Sequence, residues 1–535
     1  MLFVRVSAAL VLVTIGCGHS SDNSPDAGAM PDGMRQGPAP CNGSRPDCAT
    51  AWEQAASDKF DGLLPDPTGL AGFLKGMPKG GDLHNHLTGA VYAETYLDWA
   101  HSDGDCVNSS TYSAVNSGSC STTNVAVPTS GALYDSIVHA WSMEGFVPGA
   151  ENGHDHFFAT FGKYGLIPGT HRDQTIADVA ARAADENEVY VETMLNLGKN
   201  TGTLSASIYS GTLTAADLPN LYTQLTTNAG FANAITQDTA VVTSAAMGWK
   251  NQLGCGAAMA PDACGVTVRF VAQVSRTGAS DQVFGQLVAA FEMASRTNQI
   301  VALNLSSPED DTASITNYDL HMAMLDFLHT KYAGTSPLHV TLHAGELTAQ
   351  YLPANSTANT YHIRAAVETG HAERIGHGID VASETDPAGL MAEMAANNVL
   401  VEVCLSSNVQ ILGVSGTSHP LAGYLAAGVP VALATDDQGV SRSSMAGEYQ
   451  RAALDQHLTY RQIKTLARNS LEHAFMPGAS LWATIGTPTA ACATTDTMAI
   501  GDTPNASCAA FLATSERATL QWDLESRFLT FESQQ

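Results

Sequence analysis

Short apolar runs alternate with longer amphipathic stretches along the chain from about Gly80 onward. Eight of these runs have the length and the β-branched content of strands buried in a parallel sheet. The eight runs are "GGDLHNH", "EVYVETML", "VTVRFVAQV", "IVALNLS", "LHVTLH", "RIGHG", "VLVEVCL" and "VPVALAT". Helical patterns, among them "DQVFGQLVAAFEMASRTN", separate them. Eight strands that each precede a helix predict an α/β fold, a (β/α)8 TIM-type barrel, and an open doubly wound sheet is the alternative.

Three stretches interrupt this alternation and predict disulfide-bearing insertions in one barrel domain that extends over residues 51–535. The insertions lie near residues 101–163, 236–265 and 486–510, and each contains two cysteines. Eight of the 10 cysteines form close pairs of this kind: Cys41/Cys48, Cys106/Cys120, Cys255/Cys264 and Cys492/Cys508. We predict four local disulfides, with zinc ribbons as the alternative, and a buried thiol at Cys404.

The first residues have the pattern of an export signal. An apolar run at residues 6–15 follows Arg5, is too short to span a bilayer and leads into "VTIGC", which ends at Cys17. We interpret residues 1–17 as a bacterial lipoprotein-type signal with lipidation at Cys17, and an ordinary cleaved secretory signal is the alternative. Residues 18–50 are rich in Gly, Ser, Asp and Pro and predict a disordered tether. The protein is therefore expected in the periplasm, on the outer membrane or cell surface, or otherwise secreted.

Composition narrows the possible partners. Hydrophobic residues make up 44% of the chain, enough for a large core. The 24 lysines and arginines are outnumbered by 52 aspartates and glutamates, which gives a formal net charge of −28. Because such a surface repels phosphate backbones, nucleic acid is not an expected partner.

Residues capable of metal binding or acid–base chemistry stand at the ends of several predicted strands. They are His84 and His86 on the first strand, His343 and Glu346 after the fifth, His377 on the sixth, and Asp436 and Asp437 after the eighth. Active sites of such barrels lie at the C-terminal ends of the strands, so these side chains are expected to meet. His84 and His86 are two residues apart and face the same side of their strand. With His343 and Asp436 they form a donor set that suits Zn²⁺.

The sequence resembles the adenosine deaminase family of metal-dependent purine deaminases, within the amidohydrolase superfamily. Similar motifs, in the family's order, are "PKGGDLHNHL", "HAGE", "RIGHGID", "SSNVQILG", "HPLAGYLAAGVPVALATDD" and "ARNSLEHAF". The resemblance covers about residues 77–475. "MPKGG", the export signal and the cysteine-bearing insertions are similar to the secreted, growth-factor-type branch.

The resemblance implies roles for the polar residues. The zinc ligands would be His84, His86, His343 and Asp436. Glu346 would protonate the purine ring nitrogen beside the attacked carbon, His377 would accept or steer the proton of the attacking water, and Asp437 would orient that water and bond the imidazole portion of the ring. Because an acid must be protonated to act, Glu346 is expected to have a raised pKa in a dry pocket.

Two positions depart from the family pattern. Thr88 stands where many adenosine-specific members have an acidic residue that can accept from ribose, and Ser307 stands where a glycine usually approaches the purine. Glu309, just beyond, matches a family carboxylate. We therefore treat Thr88, Ser307 and Glu309 as candidate substrate-binding residues and expect weak discrimination by the sugar hydroxyls.

The sequence thus predicts hydrolytic deamination of adenosine or 2′-deoxyadenosine to inosine or deoxyinosine, with one Zn²⁺ per chain and release of ammonia. Deamination of another amino-purine, either a free base or a modified adenine, is one alternative. An extracellular binding or signalling protein with a relict site is another. Membrane contact is expected only through the lipid anchor, and the oligomeric state stays open. A second H-x-H, His154 and His156, is interpreted as part of a solvated or lid segment.

Overall fold

A computed structural model describes residues 41–535, which belong to one compact unit. The predicted signal at residues 1–17, with its lipidated Cys17, and most of the predicted tether lie outside the described residues. The tether prediction is wrong at its C-terminal end, because a helix begins at Arg45. Ser44 caps this helix in a capping box, and that local hydrogen bonding outweighs the polar composition that predicted disorder.

The strands of the described residues vary from two to nine residues in length. They are β1 (Gly80–His86), β2 (Cys106–Asn108), β3 (Ala114–Val115), β4 (Asn124–Ala126), β5 (Glu188–Asn196), β6 (Thr267–Ser275), β7 (Ile300–Ser306), β8 (His339–Ala344), β9 (Arg374–His377), β10 (Leu400–Val403), β11 (Val431–Leu433), β12 (Trp482–Thr484) and β13 (Thr487–Pro488).

Eight of these strands form a parallel barrel in the order β1-β5-β6-β7-β8-β9-β10-β11. Backbone hydrogen bonds close it beside the first and last strands. The N–H of His86 donates to the carbonyl of Asp436 at 3.0 Å, and the N–H of Asp436 donates to the carbonyl of His84 at 2.9 Å. All eight predicted strands are confirmed. Because neighbours follow chain order around a closed sheet, the open doubly wound alternative is wrong.

Helices surround the barrel. They are α1 (Arg45–Leu63), α2 (Pro67–Gly76), α3 (Leu87–Ala90), α4 (Ala93–Ser102), α5 (Ala132–Trp141), α6 (Gly153–Tyr164), α7 (Ile167–Thr170), α8 (Arg172–Asp185), α9 (Lys199–Ile208), α10 (Leu218–Thr227), α11 (Ala229–Gln252), α12 (Ser280–Ala294), α13 (Thr312–Tyr332), α14 (His362–Glu368), α15 (Pro387–Ala396), α16 (Leu405–Leu412), α17 (Leu421–Ala426), α18 (Gln438–Ser441), α19 (Met445–Leu454), α20 (Tyr460–Glu472), α21 (Ala506–Leu512) and α22 (Glu516–Glu532). Within residues 41–535, none of them is both long enough and apolar enough to cross a membrane.

The apolar pattern explains why these elements pack as they do. Strand β7 is buried along its whole length, as expected for a strand covered on both faces. Helix α12 buries Phe284, Leu287 and Phe291 in the same core. Burial of a side chain of this size contributes about 1.5–3 kcal/mol. These contacts build the wall of the barrel, and polar side chains lie at the C-terminal ends of its strands.

The three predicted insertions contain regular structure. The first contains the antiparallel sheet β2–β4 and the helices α5 and α6. The second is largely the end of α11, and the third contains the β12–β13 hairpin and α21. The predicted disulfides are confirmed, so the zinc-ribbon alternative is wrong, and Cys404 is a buried free thiol. The disulfides are Cys41–Cys48, Cys106–Cys120, Cys255–Cys264 and Cys492–Cys508.

Candidate metal centre and active site

Three imidazole nitrogens and one carboxylate oxygen meet at the C-terminal end of the barrel. His84 and His86 end β1, His343 belongs to β8, and Asp436 follows β11. Nε2 of His343 lies 3.2 Å from Nε2 of His84 and 3.2 Å from Nε2 of His86. Oδ1 of Asp436 lies 3.3 Å from Nε2 of His86 and 3.7 Å from Nε2 of His84. Donors placed tetrahedrally about 2.0–2.1 Å from a zinc ion are about 3.3 Å apart, so the four predicted ligands have suitable spacing.

The partners of the opposite ring nitrogens fix the imidazole protons. Nδ1 of His84 lies 2.6 Å from Oε2 of Glu402, and Nδ1 of His343 lies 2.6 Å from the amide oxygen of Asn304. These oxygens accept, so both Nδ1 atoms hold hydrogen and both Nε2 atoms present lone pairs. The two Nε2 lone pairs face each other, and Oδ1 of Asp436 is buried beside them without a hydrogen bond. A cation between these atoms would stabilise all three. The residues therefore fit a zinc ion.

Glu402 on β10 holds His84 in this tautomer. Burial opposes ionisation of Glu402, but the guanidinium of Arg374, with Nε at 2.6 Å, and His84 hold the pKa of its carboxyl below the ordinary value. The hydroxyl of Thr341 donates at 2.8 Å to Oε1 of Glu402, the same oxygen that Arg374 faces. The sequence analysis missed Glu402. A carboxylate in the middle of the apolar run "VLVEVCL" was the available signal, because a buried charge needs partners.

Glu346 lies on the cavity wall near the cluster. Burial raises the pKa of its carboxyl well above the ordinary value, and the negative charges of Asp436 and Glu309 raise it further. Its Oε1 lies 3.7 Å from Nε2 of His377. The raised pKa agrees with the expectation for a protonated acid.

Glu309 is held by three hydrogen-bond donors. Its buried carboxylate accepts from the backbone N–H of Gly345 at 3.2 Å, from that of Glu346 at 2.9 Å and from Nδ1 of His362 at 2.7 Å. It is absent from the cavity lining. Because these donors occupy its oxygens, Glu309 positions the loop that carries Glu346.

A chain of hydrogen bonds orients His377. The N–H of Leu421 donates to Nδ1 of His419 at 3.1 Å, so Nε2 of His419 holds hydrogen and donates to Oδ1 of Asn408 at 3.2 Å. The amide nitrogen of Asn408 then donates to Nδ1 of His377 at 3.0 Å. Burial lowers the pKa of His377 to about 3, so the ring is neutral and its hydrogen is on Nε2. Of the two predicted roles, this tautomer suits steering a proton by donation rather than accepting one, and it leaves no Nε2 lone pair for a metal.

The cluster opens into a cavity of about 370 Å³. Helix α6 of the first insertion covers it with Phe157, Phe158, Phe161 and Tyr164. Thr88, Ser307 and Asp437 also line it, as predicted. The lining residues include no lysine or arginine. The aromatic cover was missed because nothing in the sequence of an insertion specifies which face of the barrel it crosses.

Local backbone geometry supports two of the lining residues. Ser307 has a φ of 84°, in the left-handed region that favours glycine, and its hydroxyl lies 2.8 Å from that of Ser275. Gly89 is required beside Asp437, because a Cβ at position 89 would overlap the carboxylate. His154 and His156 lie on the covering helix α6, as expected for a lid segment, and they bond to different partners.

Comparison with known proteins finds a family to which part of the chain is similar. Residues 248–481 match the family model described as adenosine deaminase. An adenosine deaminase of Aliivibrio fischeri is 32% identical over 213 residues, which are 40% of this chain and 56% of the relative. One from Escherichia coli is 30% identical over 211 residues, 39% of this chain and 57% of the relative. The chain therefore matches somewhat more than half the length of these curated relatives.

Solved structures with a similar arrangement include an adenine deaminase from Arthrobacter aurescens, with 19% identity, 75% of this chain and 94% of that chain covered, and a TM-score of 0.44. A Burkhoderia ambifaria amidohydrolase with bound Zn has 14% identity, 76% and 88% coverage, and a TM-score of 0.45. The span that matches the family model includes His343, Glu346, His377 and Asp436, while β1 brings in His84 and His86 from outside it. The family-model match and the curated relatives show that residues 248–481 are similar to adenosine deaminases.

Proposed function

We propose that the protein is a zinc-dependent hydrolase that deaminates adenosine and 2′-deoxyadenosine to inosine and deoxyinosine with release of ammonia. The strongest support is the convergence of three imidazole nitrogens on Asp436 beside the raised pKa of Glu346. One zinc ion would be held by His84, His86, His343 and Asp436. When bound, it would lower the pKa of a water to about 7.

Glu346 and His377 supply the acid and the donor that this reaction needs. The ring carbon that bears the amino group is a poor electrophile toward water, and protonation of the adjacent ring nitrogen by Glu346 activates it. Nε2–H of His377 donates toward the negative charge that develops on the attacking oxygen. Asp437 accepts from the same water and holds it near the ring. The water oxygen bonds to the carbon. One of its two protons passes to the amino group and the other returns to the Glu346 carboxylate, so the bond to the amino nitrogen breaks and ammonia leaves.

The lining of the cavity favours a nucleoside over a nucleotide. It includes no lysine or arginine, so a phosphate would have no cationic side chain as a partner. The aromatic cover on α6 suits the flat face of a purine. Thr88, on α3, presents a hydroxyl to the cavity. A hydroxyl binds a sugar hydroxyl less strongly than a carboxylate at the same position would.

An ammonia-release assay on zinc-loaded protein, with adenosine, 2′-deoxyadenosine, adenine and adenosine monophosphate, tests this proposal. We expect turnover of both nucleosides, little turnover of the nucleotide, and none in a His86→Ala variant, which lacks a metal ligand. Preferred turnover of adenine would favour the free-base alternative. Tight nucleoside binding without ammonia from any compound would favour a binding protein and contradict the proposal.

We also propose that the protein is exported, with Cys17 as a lipid anchor. Four disulfides support export, since such bonds persist in oxidising compartments. Labelled fatty acid should be incorporated into the parent protein and not into a Cys17→Ser variant. Retention of the parent in the cytosol, with its cysteines reduced, would contradict this.

A further inference from the structure

A second group of metal-ligand side chains lies in the first insertion, away from the candidate active site. His139 on α5, Glu151 just before α6 and His156 on α6 place one ligand atom each within 4.8 Å of one another. Oε2 of Glu151 lies 2.8 Å from Nδ1 of His156, and Oε1 lies 3.6 Å from Nε2 of His139. The side chains of His139, Glu151 and His156 are 41%, 30% and 12% exposed, so an ion could enter from solvent.

Backbone carbonyls fix the hydrogens of both imidazoles. Nδ1 of His139 lies 2.6 Å from the carbonyl oxygen of Glu144. Nε2 of His156 lies 3.0 Å from the carbonyl oxygen of His139 and 2.9 Å from that of Ser142. Carbonyl oxygens only accept, so these nitrogens hold the hydrogens. In the neutral rings, the remaining nitrogens therefore direct lone pairs at the carboxylate of Glu151, and three electron-rich atoms face one another.

No lysine or arginine pairs with Glu151 within residues 41–535. Its recorded ion-pair partners are the two imidazoles, which carry a charge only when both ring nitrogens hold hydrogen. The guanidinium of Arg442, which lies nearby in the fold, pairs with Glu94 and Glu144 instead. The charge of the carboxylate and the direction of the lone pairs thus both call for a cation from solution.

We propose that His139, Glu151 and His156 bind a second divalent transition-metal ion. Two imidazole nitrogens and one carboxylate form a donor set that zinc uses in proteins, with water in the remaining position. Each imidazole faces a different oxygen of Glu151, at 2.8 and 3.6 Å, and these distances lie on either side of the separation of about 3.3 Å expected between donors on zinc.

Such an ion would join α5 and α6 through His139 and His156, and it would also hold Glu151, two residues before α6 begins. The same helix α6 covers the cavity with Phe157, Phe161 and Tyr164. The second ion would therefore tie the end of α6 that carries His156 to α5. The same helix covers the cavity at the central metal centre.

Metal counting on the full chain with intact disulfides tests this site. Protein stripped by a chelator is dialysed against buffered Zn²⁺, and bound zinc is measured by elemental analysis. The parent should bind two ions per chain, and the double variant His139→Gln, Glu151→Gln should bind one. Asp135→Asn, an exposed substitution on α5 outside the cluster, is the matched control and should bind two. Unchanged thermal unfolding of the metal-free double variant would show that its fold is intact.

A His86→Ala variant separates this proposal from the central metal centre. It should lose one ion and keep the second, and the triple variant should bind none. Loss of an ion in the double variant, with no loss in His86→Ala, would uphold the second site and contradict the central one. A parent that binds only the ion removed by His86→Ala, or two ions that survive in the double variant, would overturn the second site.

Discussion

Replacing Asn408 with aspartate should reverse the tautomer of His377. In the parent, the amide nitrogen of Asn408 donates to Nδ1 of His377, and Nε2, which holds the hydrogen, lies 3.7 Å from Oε1 of Glu346. A carboxylate of the same shape has no hydrogen to donate, so Nδ1 of His377 must become the donor. Nε2 of the neutral ring then presents a lone pair where the parent presents a donor.

The size of the effect follows from the loss of one donor to a developing negative charge. Removal of one such donor typically lowers kcat by about 10²–10³-fold, or about 2.7–4 kcal/mol. The new carboxylate also raises the pKa of His377 from its parent value of about 3. Below the raised pKa, the ring gains a second hydrogen and Nε2 donates again. Activity of Asn408→Asp should therefore recover as the pH falls, while the parent has no such response from His377.

The assay is the steady-state rate of adenosine deamination by zinc-loaded protein between about pH 6 and pH 9, across the usual range of histidine titration. Asn397→Asp, on an exposed turn after α15, adds the same charge elsewhere and should behave as the parent does. If His377 accepts a proton instead, the aspartate would supply the tautomer that a base requires. Asn408→Asp would then keep its activity at high pH and lose it on acidification, which would refute the donor role.

Three further predictions concern the acid, the sugar and stability. Glu346→Gln should keep its zinc, because Glu346 is outside the ligand set, and its kcat should fall about 10²–10⁴-fold because the acid is lost. Elemental analysis measures the zinc and steady-state kinetics measures kcat. A rate near that of the parent would exclude Glu346 as the acid. Thr88→Asp should lower KM for adenosine about tenfold, because a charge-assisted hydrogen bond exceeds a neutral one by about 1.4 kcal/mol; an unchanged KM would mean that the sugar is held elsewhere. Buried His321 has no hydrogen bond on either ring nitrogen, and burial lowers its pKa from 6.5 to about 4. On acidification, His321 is protonated in the unfolded chain before it is protonated in the folded protein. The free energy of unfolding therefore declines by about 3 kcal/mol as the pH falls from 6.5 through about 4. Urea unfolding should show that His321→Leu lacks this pH-dependent loss, and the same dependence of unfolding free energy on pH in parent and variant would contradict the prediction.

The barrel and most of its site were predictable because the information is local. Each strand is a short apolar run, and residues such as His343 and Asp436 stand where such a run ends. The topology of a barrel then brings those ends together. Beyond the strand ends, the prediction needed only the order of the strands around the barrel. A helix that connects two consecutive parallel strands places them side by side, so this order follows the order in the chain.

The supporting residues were not predictable in this way, since their roles depend on contacts across the fold. Glu402 is a single carboxylate in an apolar run until β9 and β1 place Arg374 and His84 against it. Asn408 and His419 become an orienting chain only after α16 and the following turn pack beside β9. Glu309 matched a family carboxylate in sequence, yet the backbone of the neighbouring loop occupies its oxygens.

The most direct test of the account is the fate of adenosine incubated with the zinc-loaded full chain in water enriched in heavy oxygen. Hydrolytic deamination predicts inosine with one heavy oxygen on the ring carbon and one ammonia released for each inosine, as measured by mass spectrometry and ammonia assay. His86→Ala should give neither product. Unchanged adenosine in the presence of fully zinc-loaded parent protein would contradict the account.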